Sequence, residues 1–201
     1  MLCSHKVNSP FSAVLLAGGK STRMGHDKAL IPIGGLPLWE RQLLLVQQLA
    51  PMQTFLSGPP RAHWDAGRYT VVEDAQPDAG PLAGLVAALR ACAAPHLLAL
   101  AVDLPKMTTT YLAELLSCCS GQAGVVPRNG RHFEPVAAVY PKICLPHAEE
   151  ALATGEHALQ DFAARGVADG WLIARDITAD EAPLFLNMNT PADLAEVTSD
   201  A

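Results

Sequence analysis

Leu16-Ala17-Gly18-Gly19-Lys20-Ser21-Thr22-Arg23-Met24-Gly25-His26-Asp27-Lys28 follows directly on an apolar run at residues 11–16. The run reads as a first strand, and the segment after it carries three glycines and three cations in thirteen residues. Such a loop suits polyphosphate. Gly18, Gly19 and Gly25 let the backbone approach a ligand and turn successive N–H groups inward, while Arg23 and Lys28 can neutralise charge developing on phosphate oxygens. Gly19-Lys20-Ser21 is not a Walker A loop, because that motif needs a glycine five positions before Gly19, where the chain has Val14 in mid-strand. A dinucleotide fingerprint fails too: Gly18 and Gly19 are adjacent, and no acidic residue ends a second strand about twenty residues later.

Downstream of this loop, short β-branched or Leu-rich runs alternate with helical periodicity, which predicts a single Rossmann-like three-layer α/β domain with a mostly parallel sheet. Trp39, Leu43, Val46 and Ala50 give a helix over residues 38–50, and short strands are expected at 54–56 and 69–72. Pro81 can open a helix running to about Cys92, since its missing N–H is harmless in a first turn. Residues 96–102 form a near-continuous apolar run, as expected of a central strand buried on both faces. Leu112, Leu115, Leu116 and Cys119 mark another helix, followed by strands at 123–126 and 135–140. The second of these is expected to be less central, because Pro135 lacks a donor. Helices at 143–153 and 158–165, a strand at 170–173 and a helix opened by Thr190 as N-cap and Pro191 at N1 complete the pattern. The expected division is a flexible segment at 1–10, one domain at 11–197 and a short end at 198–201.

Half of the residues are hydrophobic and 17% are charged, enough apolar material for a sizeable core. A net charge of −6 with no Lys/Arg cluster excludes a nucleic-acid or anionic-membrane surface. The five cysteines have no C-x-x-C spacing and read as reduced thiols, and the seven histidines have no metal-ligand spacing. With no signal-like apolar segment near Met1 and no run long enough to span a bilayer, the expected compartment is the cytoplasm.

Asp103 lies just past the carboxyl end of the predicted central strand, where ligands gather in open α/β sheets. One carboxylate with phosphate oxygens and waters suffices for octahedral Mg²⁺, so Asp103 is the expected metal ligand, with a helix N-cap as the alternative. Asp74 follows Val71-Val72-Glu73 and leads into Gly80-Pro81-Leu82-Ala83-Gly84, small residues that let the backbone pass close to a purine or ribose. A turn-forming role for Asp74 stays open.

Leu16-Ala17-Gly18-Gly19 through Arg23-Met24-Gly25-x-Asp27-Lys28 resembles the signature of the molybdenum cofactor guanylyltransferases, the MobA family of nucleotidyltransferases. Further blocks resemble the family in its order: Val72-Glu73-Asp74, Gly80-Pro81-Leu82-Ala83-Gly84, Asp103-Leu104-Pro105, Glu134-Pro135 and Asn187-Met188-Asn189-Thr190-Pro191. The resemblance implies a nucleotidyltransferase fold and transfer of GMP from GTP to the phosphate of molybdopterin, with Mg²⁺ as cofactor and pyrophosphate released. It implies that Leu16, Ala17, Gly18, Gly19, Lys28, Asp74, Gly80, Pro81, Leu82, Gly84 and Asp103 hold the nucleotide. The same resemblance implies that Arg23, Lys28 and Asp103 carry catalysis and that Glu134, Asn187 and Asn189 face the acceptor, with a place in the metal's shell or a turn ahead of a capped helix as the alternatives for Asn187 and Asn189. Transient contact with cofactor-insertion proteins or molybdoenzymes is implied as well.

Two departures from the family pattern stand out. Val102 replaces the usual Cys before Asp103, and Leu56-Ser57-Gly58 stands where the family often has an Asn near the base. Base choice is therefore open to a cytidylyl alternative, or to another phosphorylated acceptor. A non-catalytic nucleotide-binding module would keep the glycines and lose the cations or the carboxylate, all of which are present.

Overall fold

The structure, a computed structural model, describes residues 9–18, 28–58, 67–74, 76, 79–188 and 193. The expectations for Gly19, Arg23, Asn189, Thr190, Pro191 and the two chain ends at 1–8 and 194–201 lie outside these residues.

The first strand, β1 (Phe11–Leu16), is buried at every position, and its side chains divide between two cores. Phe11, Ala13 and Leu15 face one, Val14 and Leu16 the other, the alternation a strand covered on both faces must have. After β1 come a small hairpin, β2 (Pro32–Ile33) and β3 (Leu36–Pro37), then α1 (Leu38–Gln47), β4 (Thr54–Ser57) and β5 (Thr70–Val72). The chain continues through α2 (Pro81–Ala91), β6 (His96–Ala101) and α3 (Thr109–Ser117). The second half holds β7 (Gly124–Asn129), β8 (His132–Phe133), β9 (Ala137–Pro141), α4 (Leu145–Thr154), α5 (Leu159–Ala168) and β10 (Leu172–Asp176).

The main sheet runs β10-β7-β9-β6-β1-β4-β5, with β8 paired to β7. Pairings of β1 with β4 and β6, of β4 with β5 and of β7 with β10 are parallel, and β9 is antiparallel to both neighbours. The single mixed, mostly parallel α/β sheet expected from the sequence is present. On one face, α1 and α3 pack through Leu38, Leu43, Leu112 and Leu115; on the other, α2, α4 and α5 pack through Leu82, Leu85, Leu152 and Phe162. Full burial of each such side chain contributes about 1.5–3 kcal/mol. Among the described residues no helix is long and apolar enough to cross a membrane.

The strand expected to be the less central of the two lies further inside the sheet than β7. β9 sits between β6 and β7, and all five of its residues are buried. Pro135 does not push it to an edge because the proline precedes the ladder, in a turn closed by Ala137 N–H donating to the Glu134 carbonyl at 3.1 Å. Ala101 N–H reaches the Val136 carbonyl at 2.7 Å, so no ladder bond needs a donor at 135. The Pro135 carbonyl accepts from the buried Tyr140 hydroxyl at 2.6 Å, and burial holds that phenol well above its ordinary pKa. Tyr140→Phe leaves this carbonyl without its donor and should lower unfolding free energy by about 1–2 kcal/mol. A urea midpoint unchanged from wild type would show that the bond contributes nothing to the crossover.

Candidate functional site

The parallel ladder between β1 and β6 pairs Leu16 with Ala101, and Val102 N–H donates to the Leu16 carbonyl at 3.1 Å. The glycine segment and Asp103 thus emerge side by side from the carboxyl ends of adjacent strands. Connections leave β1 toward β4 on one side, and β6 lies on the other. This is a topological switch point, where the sheet opens a crevice for ligand.

Lys28 enters the crevice at the start of a short 3-10 turn, Lys28–Leu30, whose Ala29 is buried in the core and whose Ile31 N–H donates to the Lys28 carbonyl at 3.2 Å. Its ammonium lies 3.9 Å from Asp103 Oδ2, with both side chains partly exposed, at 16% and 27%. Two of the predicted catalytic residues therefore meet although they lie 75 positions apart in the chain. Burial pushes the Asp103 carboxyl above the ordinary carboxylate pKa, against the pull of Lys28 and of its own backbone N–H. Its main chain is held from two directions. The Asp103 carbonyl accepts from Met188 N–H at 2.9 Å, and the next carbonyl, Leu104, accepts from the buried Gln42 amide at 2.6 Å.

Asp74 is held across the crevice by Ser57, whose hydroxyl donates to Oδ1 at 2.8 Å. Here the small residues have a steric reason. A Cβ on Gly84 would lie 2.1 Å from Ser57 Oγ and 3.2 Å from Asp74 Oδ1, and one on Gly18 would lie 3.3 Å from Asp74 Oδ2. Gly58 takes φ +141°, and a Cβ there would meet the Gly18 nitrogen at 3.1 Å, so only glycine suits both its backbone and its space. Ala17 N–H donates to the Ser57 carbonyl at 2.9 Å, tying the glycine segment to β4. Leu16, Ala17, Gly18, Asp74 and Gly84 are thus gathered in one cradle. Leu82 is buried in the α2 core, while Gly80 and Pro81 are exposed at that helix's N-terminus, with Gly80 at φ +68°.

The antiparallel β9 brings Glu134 to the same edge, since Val136 pairs beside Ala101. Burial raises the Glu134 pKa, offset in part by His132. Asn187 is exposed beside Met188, adjacent to the Asp103 backbone. Arg23, Gly19 and Asn189 are outside the described residues. Sequence reasoning noted Ser57 only as a departure near the base and missed its bond to Asp74, and it missed Gln42 altogether. Ser57 ends its strand beside Gly58, a position that could have flagged it; Gln42 falls on the buried stripe of α1, where a lone amide carries no sign of its partner.

Residues 13–169 match the family described as the MobA-like NTP transferase domain. The chain belongs to this family. A relative in Opitutus terrae called a probable molybdenum cofactor guanylyltransferase is 33% identical, covering 92% of this chain and 93% of its own. A molybdenum cofactor guanylyltransferase of Pseudomonas putida is 33% identical over 83% of this chain and 89% of its own. The crystal structure of molybdopterin-guanine dinucleotide biosynthesis protein A from Archaeoglobus fulgidus shares the fold, with a TM-score of 0.73, 23% identity and coverage of 94% and 97% of the two chains.

Because the folded Asp103 pKa lies above its ordinary 3.8, net of the Lys28 attraction, the folded chain keeps this proton to higher pH than the unfolded chain. Ionisation therefore costs stability, a penalty absent below the unfolded value and complete above the folded one. Asp103→Asn should raise the Tm of the ligand-free protein at pH 7, with the difference shrinking toward pH 4 or so. Asp103 is not the cap of α3, whose N-cap is Thr108; scanning calorimetry that found a lower Tm for the variant at pH 7 would show that the Lys28 attraction outweighs the cost of burying the carboxylate.

Proposed function

We propose that the protein transfers GMP from GTP to the phosphate of molybdopterin, forming the guanine dinucleotide cofactor and releasing pyrophosphate in a Mg²⁺-dependent reaction. The observation that carries this is the opposed pair Lys28 and Asp103, 3.9 Å apart at the switch point beside the Gly18 cradle. The names of the guanylyltransferase relatives support the nucleotide and the acceptor.

Among the described residues no group of three or more His, Cys, Asp or Glu gathers to hold a metal. The donor set fits a dication that arrives with polyphosphate, because Mg²⁺ keeps its waters and takes one or two carboxylates plus substrate phosphates. Asp103 would hold it, and the bound ion would supply neutralisation of charge on the α-phosphate. Lys28 and Arg23 would bind phosphate oxygens, and Asp74 with the Gly18 and Gly84 backbone would receive the nucleoside. Glu134, Asn187 and Asn189 would face the acceptor. Attack by an acceptor phosphate oxygen forms the new P–O bond as the α–β bridging oxygen leaves with pyrophosphate. No general base is required, since the nucleophile is already anionic, and alignment and charge stabilisation supply the rate. A cytoplasmic location and transient delivery of product to insertion proteins or molybdoenzymes belong to the same proposal.

A cytidylyl reading draws on Ser57-Gly58 at the strand end where the family often has Asn. Titration calorimetry with GTP, CTP, ATP and UTP in Mg²⁺ separates the two: GTP should bind tightest, and a clear preference for CTP would replace the guanylyl reading. Lys28→Ala should reduce kcat/KM for pyrophosphate release by roughly two to three orders of magnitude. Full activity in a folded Lys28→Ala protein would remove Lys28 from the phosphate site.

A further inference from the structure

The segment that follows β10 returns to the site, and an ion pair outside the nucleotide cradle ties it down. Arg175, on the edge strand β10, donates from Nη2 to Glu181 Oε1 at 2.6 Å and from Nη1 to Oε2 at 3.2 Å. The same Glu181 carboxylate accepts from Thr178 N–H at 2.9 Å, so it also closes the turn out of β10. Arg175 Nη1 reaches the Tyr111 hydroxyl on α3 at 3.0 Å, the guanidinium carbon lies 4.9 Å from the centre of the Tyr111 ring, and Glu114 lies 3.7 Å away. Tyr111 in turn meets Phe185 edge-on at 5.4 Å. Beyond Phe185 the chain reaches Met188, fully buried, whose N–H donates to the Asp103 carbonyl.

The partners are only 21% and 17% exposed and the geometry is bidentate, unlike the solvated pair of Arg128 with Asp176, at 38% and 73%. Exposed pairs of that second kind hold little structure. A fork-to-fork pair fixes angle as well as distance. Hydrogen bonding to Arg175 keeps the Glu181 carboxyl below its ordinary pKa, and the same bonds raise the Arg175 pKa. Apolar packing of Phe185 and Met188 alone tolerates small slips along the core surface, whereas the clasp sets the register of the strap between residues 178 and 188.

We propose that Arg175 and Glu181 are positioning residues of the transferase: their clasp fixes the strap that ends on the Asp103 backbone, and so fixes the Asp103 carboxylate and the neighbouring Asn187. Gln42 holds the opposite side of the same turn through Leu104. The inference rests on the guanylyltransferase reading for its kinetic consequence, and on the hydrogen bonds alone for its structural one. The bonds of Arg175 and Glu181 go to each other and to Tyr111, Glu114 and Thr178, none of them a residue of the Gly18 cradle, so the effect should reach the chemical step and leave nucleotide capture in that cradle intact.

The test uses the full chain with Glu181→Gln, which keeps the shape and an acceptor for Thr178 N–H, and with Arg175→Lys, which keeps the charge and loses the fork. Glu181→Gln should lower kcat for pyrophosphate release by about tenfold with KM for GTP nearly unchanged, as expected of a small misplacement of a reacting group. Arg175→Lys should fall between it and wild type. Amide exchange should quicken at Met188 and stay at wild-type rates at Leu98 and Leu100 in β6. Exchange at Met188 as slow as wild type would overturn the clasp, and so would fast exchange with unaltered kcat. A parallel loss of protection in β6 would make the pair a general stabiliser and overturn the positioning role. Wild-type protein that turns over no nucleotide would sink the reading of the reaction; the clasp is then decided by the Met188 exchange.

Discussion

The parallel ladder between β1 and β6 is the constraint on which the site depends. Its register sets Leu16 opposite Ala101. Every group that follows either strand is thereby fixed relative to the other, including Gly18 on one side and Asp103 on the other. A slip by one residue would turn Leu15 and Leu100 out of one core and into the other, because side chains alternate along a strand. The two apolar cores therefore lock the register, and the register places the charges. Stability and geometry share one cause here: the same leucines that exclude water from the sheet hold Asp103 within reach of Lys28.

The antiparallel β9 extends this logic to the second half. By running against β6 it presents its beginning, Glu134 to Val136, at the edge where β6 ends. β7 and β10 then run parallel to β6 once more, so their carboxyl ends reach that edge too. The chain leaves β10 on the site's side of the sheet, which is why a short strap suffices to bring Met188 back to Asp103. A purely parallel arrangement would have started β9 at the far edge and left Glu134 there.

Much of the first half was readable because its signals are local. The apolar run at 96–102 has no other use than a two-faced strand, and Pro81 after Gly80 opens α2 where the sequence places it. The small residues at 80–84, after Asp74, read as room for a ligand, and Gly84 does clear space, although the neighbour it clears is Ser57 Oγ. The error over β9 came from treating Pro135 as part of the ladder, when strand membership begins at Ala137. What sequence could not yield were partners set by tertiary contact. Gln42 to Leu104 spans 62 positions and Arg175 to Tyr111 spans 64, and no periodicity encodes either.

These long-range contacts bear on why an acidic group is tolerated where it is. Burial raises the Asp103 pKa, so its ionised form is disfavoured by its surroundings, and Lys28 only partly relieves this. A carboxylate so placed would relax toward solvent if its backbone were free to move, since an exposed charge is better solvated. The Met188 and Gln42 donors hold the Asp103 and Leu104 carbonyls and oppose that relaxation. The restraint keeps the carboxylate under-solvated beside the Lys28 ammonium. In the proposed reaction a dication carried in with polyphosphate would supply the missing charge, and the cost carried by the ligand-free site would then become affinity for that substrate.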